Sequence, residues 1–324
     1  MPIHNLGYRE WNGELRSPST RWLVVAEIGI RRAWQSAWLR RMMFFAWVPG
    51  IVMGFMIFIY EQSAKQGGEM QDMMSAGAMA LVTHESPETI FRRIQQERIL
   101  TGSRPSMGAE RHLFWSALLQ ILFRRSQPFL LIPIVAVIAP PMISQDFRSR
   151  AFLLYFSRPM TKVQYIVGKA VTIGLYLSLV TMFPGLLLYF IGVLLSPDIS
   201  VLYATWDLPL RIILASFLIV IPCTMLALML SSLTTESRYA SFSWFAIWIF
   251  GHLTYVVIRS VASPGDSSMV QSLSLFETFN DLSSWILDPK LGVTHMETRL
   301  ILIAVLTAVC TAVLYRRVSA PMQV

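Results

Sequence analysis

Charge is scarce in this chain: Asp, Glu, Lys and Arg make up 14% of its 324 residues, against about 25% in ordinary soluble domains. So few charges cannot keep a surface of this size in water, and the sequence excludes a soluble enzyme. Cysteine is scarcer still. Cys223 and Cys310 each lie inside an apolar run, which leaves no disulfide framework and no metal-ligand spacing. The five histidines, at 4, 84, 112, 252 and 295, are scattered and form no HExxH pair. The one Gly-Lys pair, Gly168–Lys169, is followed by Ala170 and lacks the upstream glycine of a phosphate-binding loop, so no ATP site is expected. Paired carboxylates and a nucleophile beside a base are missing too. We therefore assign no catalytic residue, no metal ligand and no bound cofactor to the chain.

Acidic residues are also missing from the middle of every long apolar run. Carboxylates at membrane depth usually mark proton relays or ion paths, so coupling to protons or sodium is disfavoured. His252 is the one titratable group well inside such a run; beside Thr254 and Tyr255 it reads as a satisfied polar residue rather than a proton carrier.

What the chain has in abundance is apolar length. Hydrophobic residues make up 54% of it and gather into six blocks, at 42–60, 128–143, 170–195, 208–230, 241–262 and 300–315. A helix rising about 1.5 Å per residue needs roughly 20 residues to cross a hydrocarbon core of about 30 Å. The expected fold class is therefore an all-α integral membrane protein with six transmembrane helices. Pro133, Pro140 and Pro141 make the short second span a kinked one, whose freed carbonyls need partners on neighbouring helices.

The first twenty residues carry Glu10, Glu14 and two prolines, unlike a cleavable leader, so targeting is expected from the first span. Lysine and arginine near the span ends favour a multi-pass protein of the cell membrane with both termini cytoplasmic. The net charge of +8 then meets anionic lipid headgroups rather than nucleic acid.

The plan divides into a cytoplasmic segment 1–41 and a transmembrane region 42–324, which includes an outer segment 61–127, a cytoplasmic loop 144–169 and an outer segment 263–299. In the first segment Trp22, Ala26, Ile30, Trp34 and Trp38 recur every four residues, with Arg21, Arg31, Arg32, Arg40 and Arg41 around them. That pattern predicts an interfacial helix lying in the inner headgroup layer; a soluble helix packed on a partner is the alternative. In 61–127, residues 88–100 read as a charged helix, and 112–123 either lie at the interface or lengthen the second span. Residues 270–289 form either a re-entrant helical pair before the last span or a loop with one surface helix.

The loop 143–169, ISQDFRSRAFLLYFSRPMTKVQYIVGK, is basic and amphipathic. It predicts a short helix over 146–156 capped by Ser144, a break at Ser157, Arg158 and Pro159, and a return to the membrane. A solvated charged loop is the plain alternative. The pattern Asp146, Arg148, Leu153, Ser157, Arg158, Pro159, Tyr165, Gly168 and Lys169 resembles the permease subunits of type 2 ATP-binding-cassette exporters, nearest the branch that includes the nitrous-oxide-reductase maturation permease. Arg150 and Ala151 stand where many members carry Gly-Thr.

The resemblance implies a permease that pairs with a second copy or homologue and binds two separate ATPase subunits, which carry the ATP and magnesium. It implies that the loop docks on the ATPase through Asp146, Arg148, Ser149, Arg150, Phe152, Ser157, Arg158 and Pro159, with Glu236 and Arg238 as secondary contacts. It also implies a pathway at the dimer interface, lined by the first, second and fifth spans. Trp244, Phe245 and Trp248 either line that pathway or serve as packing. An accessory periplasmic or extracellular protein remains open as a further partner. A membrane scaffold that recruits a soluble complex without moving cargo is the rival reading.

Overall fold

The computed structural model describes residues 20–63, 69–83, 85–101, 107–151, 160–197, 200–261, 274–288 and 296–319, and among these there is no strand. Six helical segments are long and apolar enough to cross a membrane: Ala37–Ser63, Pro128–Arg148, Lys162–Leu195, Asp207–Leu233, Ser237–Val261 and Met296–Ser319. Each apolar block of the sequence lies within or overlaps one of them, because only a helix satisfies the backbone of such a segment in lipid.

In chain order the helices are α1 (Arg21–Trp34), α2 (Ala37–Ser63), α3 (Glu69–Thr83), α4 (Pro87–Thr101), α5 (Met107–Ile121), α6 (Gln127–Ile138) and α7 (Pro140–Arg148). After the loop come α8 (Lys162–Val180), α9 (Met182–Leu195), α10 (Val201–Ala204), α11 (Asp207–Leu233), α12 (Ser237–Val261), α13 (Leu275–Leu287) and α14 (Met296–Ser319). The most buried span is α11, which packs against α7, α8, α13 and α14.

A π-helical turn, Leu122–Ser126, joins α5 to α6, so residues 112–123 lengthen the second span. That span breaks at Ala139, where Pro140 and Pro141 open α7. Proline has no N–H for the carbonyl four residues back, and Ser241 Oγ takes that place by donating to Ala136 O at 3.2 Å. The charged helix expected over 88–100 is α4. Of the region read as a re-entrant pair, the described part is the single helix α13, packed among α5, α6, α11 and α12.

The N-terminal helix is shorter than its expected form. It stops at Trp34, and Ser36 Oγ then accepts the Leu39 N–H at 3.3 Å, starting α2 at Ala37. Trp38, Arg40 and Arg41 therefore belong to the first span. The face packed within the chain is Val25, Ala26, Gly29 and Ala33, and Trp34 is half exposed.

Small residues select that face because they let α1 approach α8 closely. Thr172 Oγ1 donates to Ala26 O at 3.3 Å, Tyr176 OH donates to Ile30 O at 2.8 Å, and Trp22 O lies against Gly168. The sequence offset is 146 in both hydrogen bonds, so α1 runs alongside α8 in the same direction. A Cβ at Gly168 would stand 2.8 Å from Trp22 O and 2.7 Å from Val25 Cβ, too close for any side chain without a shift.

Candidate functional site

The two roots of the loop, the end of α7 and the start of α8, meet in a buried polar junction. Lys169 Nζ lies 2.7 Å from Asp146 Oδ2, and Tyr165 OH donates to the same oxygen at 2.7 Å. Both charged residues are buried, with 6% of Lys169 and 4% of Asp146 exposed. The ammonium also stands over the Tyr165 ring, 5.4 Å from its centre. Tyr165 and Lys169 are four apart on α8 and so share one face. Thr161 starts α8 with a capping box, accepting the Gln164 N–H at 3.2 Å while the Gln164 side chain accepts the Thr161 N–H at 3.1 Å.

A second contact set ties α7 to the turn between α11 and α12. The N–H groups of Ile143 and Ser144, early in α7, both donate to Ser231 Oγ at 3.1 Å. Ser231 in turn donates to Pro140 O at 2.6 Å, so a residue of α11 caps α7 from outside. Ser144, expected as the cap of the loop helix, instead lies inside α7; its hydroxyl donates to Pro140 O at 2.6 Å and lies 2.9 Å from Ser237 Oγ. At the surface Arg148 Nη1 donates to Glu236 Oε2 at 3.3 Å. Arg238 rests on the Tyr239 ring, and Arg32 of α1 donates to Gln145 Oε1.

The structure thus redraws the loop helix expected over 146–156. Asp146 is in the buried last turn of α7, which ends at Arg148. Ser149 and Arg150 form a turn, Arg150 having the positive φ of 52°; a left-handed residue cannot continue a helix. Helical backbone resumes at Ala151, while Phe152, Ser157, Arg158 and Pro159 lie outside the described residues. Arg148 and Glu236 come together, whereas Arg150 is exposed and away from the junction. Tyr165, Lys169, Ser231, Ser237 and Arg32 complete the site. Tyr165 and Lys169 were legible as motif members but not as partners of Asp146, because the pairing spans a loop.

At the opposite end the spans are pinned by ion pairs of their own. Arg111 reaches both carboxylate oxygens of Glu61 at 3.0–3.2 Å, both residues buried. Arg299 pairs with Asp281, and Asp207 accepts from Arg211 at 2.8 Å beside His112. His252 Nδ1 is 3.8 Å from Glu277 Oε1. Burial pushes the Glu277 carboxyl above its ordinary range and Asp281 adds to this, while His252, Arg124 and Arg259 oppose it. Trp244 and Trp248 are buried, Trp244 donating to Ile132 O at 2.8 Å and Trp248 stacking on Phe279. These two are packing residues within the chain; Phe245 is 37% exposed.

Six apolar spans with polar side chains at both ends define a multi-pass helical membrane protein. The family model described as ABC-2 family transporter protein matches residues 22–320, from α1 to the end of α14, and the chain belongs to that family. It is a transmembrane subunit of an ABC transporter. No curated protein matches it.

Proposed function

We propose that the chain forms the translocation pathway of an exporter and draws its work from ATPase subunits docked on the loop between its second and third spans. The observation that carries this reading is the Asp146–Tyr165–Lys169 contact, which fastens both roots of that loop to each other. A loop rooted in a buried pair would pass a push from a soluble partner to α7 and α8 as a shift of whole helices. Ser231 and Ser237 would carry the same push to α11 and α12.

The working unit is two permease chains, identical or related, with two ATPases that carry the ATP and magnesium. The chain sits in the cell membrane with both termini cytoplasmic, the arrangement that the basic residues at that end of the spans support. The Ser157–Arg158–Pro159 pattern of the loop supports the branch of the nitrous-oxide-reductase maturation permease.

Docking is tested by co-purifying the chain with its ATPase and reversing Arg148 and Arg150 to Glu. Truncating or reversing a partly desolvated charge pair costs on the order of a few kcal/mol, so recovery of the ATPase falls at least about tenfold. Arg148 also pairs with Glu236 inside the chain. Arg316→Glu with Arg317→Glu, a reversal of two exposed basic residues outside the loop, is the control and leaves recovery within about twofold. Undiminished recovery and transport in the double variant would refute the docking surface.

A further inference from the structure

A crevice opens beside the polar junction, between α1, the start of α2, the α6–α7 break and α8. Its volume is about 190 Å³. One wall is polar, formed by Arg32, Ser36, Gln145, Asp146 and Lys169; the other is apolar, including Val25, Ile28, Val137, Ile138 and Met142. Two cations therefore face one anion. Lys169 is matched by Asp146, whereas the partner the structure gives Arg32 is the neutral amide of Gln145, which leaves a net positive charge in the crevice. Around it Arg40 and Arg41 are exposed, Arg31 is paired with Glu27, and Trp34 and Trp38 project outward.

We propose that this crevice is a headgroup site for an anionic glycerophospholipid of the leaflet on the side of the chain termini. The proposal rests on the membrane orientation given above. A phosphodiester accepts hydrogen bonds from a guanidinium and a hydroxyl, and Arg32 with Ser36 supplies both. Basic pockets between spans recruit such headgroups electrostatically. The crevice is too small for a whole lipid, so the acyl chains leave along the apolar wall, at whose mouth Ile28 is 51% exposed. A soluble anion has no use for that wall. A neutral lipid has no use for the uncompensated Arg32.

The site also bears on α1. A lipid seated there would touch α1, α7 and α8 together, and so brace the contact of α1 with the third span that Thr172 and Tyr176 make.

The test uses the full chain in nanodiscs, without ATPase, so that it can fail independently of docking on the loop. The thermal midpoint is measured in phosphatidylcholine alone, in phosphatidylcholine mixed with phosphatidylglycerol, and in phosphatidylcholine with inorganic phosphate added. Phosphatidylglycerol raises the midpoint of the wild type, and phosphate does not. Arg32→Ala weakens the apparent affinity for phosphatidylglycerol by about tenfold, the scale of one charge-assisted contact, and Arg32→Lys restores part of it. Ile28→Trp, which narrows the mouth and leaves the polar wall intact, weakens it as well and serves if Arg32→Ala fails to fold. Arg316→Ala with Arg317→Ala, exposed basic residues at the same end of the bundle, leaves it unchanged. The proposal is overturned if phosphatidylcholine stabilises equally, if phosphate alone reproduces the shift, or if the Arg316/Arg317 variant loses as much as Arg32→Ala.

Discussion

Lys169 and Asp146 are two charges taken almost wholly out of water, which costs several kcal/mol per ion before their attraction returns any of it. The pair persists because its geometry is close and Tyr165 adds a hydrogen bond to the carboxylate. Removing one partner strands the other, at about 3–5 kcal/mol. Asp146→Asn should therefore lower the unfolding midpoint in detergent strongly. Asp146→Leu with Lys169→Met, which replaces both charges by apolar groups, should recover most of that loss. If the single and double variants fall equally, the pair is not what fastens the roots of the loop. A further outcome belongs to the functional reading: the double variant is stable, but ATP hydrolysis by the partner responds less to it, because the link that passes motion from α7 to α8 is gone.

Among the elements, α7 depends on a cap it cannot supply itself. Pro140 and Pro141 start it without donors, Met142 donates to Ala139 O, and the N–H groups of Ile143 and Ser144 find Ser231 on α11. Ser231→Ala removes the hydroxyl that accepts both N–H groups, while the Pro140 carbonyl keeps the Ser144 hydroxyl, a loss of about 1–3 kcal/mol. Amide hydrogen exchange at Ile143 and Ser144 should accelerate while that in α14 is unchanged; equal protection in the variant would show that the cap is dispensable.

Gly168→Ala probes a second contact, because its Cβ would meet backbone at Trp22. A cost of about 1–3 kcal/mol is expected, read as a lowered midpoint and as faster proteolysis of α1. An unchanged midpoint would mean that α1 can shift away from α8 freely.

The six spans were legible because lipid leaves a segment of that length and hydropathy one solution. The limits of α1 were not. The four-residue spacing of tryptophans runs on past Gln35 and Ser36, where the chain breaks, and small residues rather than aromatics chose the packed face. The start of the loop helix was not legible for a similar reason: nothing within 143–169 shows that Asp146 is paired across the loop with Lys169, or that Arg150 takes a left-handed turn. Local pattern gives the type of an element. Which of its faces is buried is decided by the helix packed against it.

For the molecule as a whole, six spans place the end of α7, the start of α8, the turn 234–236, the start of α2 and the end of α14 at one end of the bundle, and the end of α9 with α10 at the other. Which end faces the cytoplasm decides whether a soluble ATPase can reach the loop at all. The chain offers a clean way to ask, since Cys223 and Cys310 are both 1% exposed and lie within spans, out of reach of a reagent in water. A membrane-impermeant maleimide should leave the wild type unlabelled without any cysteine being removed. Ser149→Cys, in the exposed turn after α7, should react only once cells are opened or vesicles inverted. Tyr203→Cys, where the native side chain is 83% exposed between the third and fourth spans, should react in intact cells. The opposite pattern would put the loop outside, beyond the reach of an ATP-driven partner, and the coupling proposal would fail with the fold left standing. Labelling of both positions from one side would be a harder result, because two exposed sites separated by one span cannot share a face of the membrane unless the third span fails to cross. Its length argues against that outcome: Lys162–Leu195 is 34 residues, about 50 Å of helix, more than the hydrocarbon core requires even with the break at Thr181.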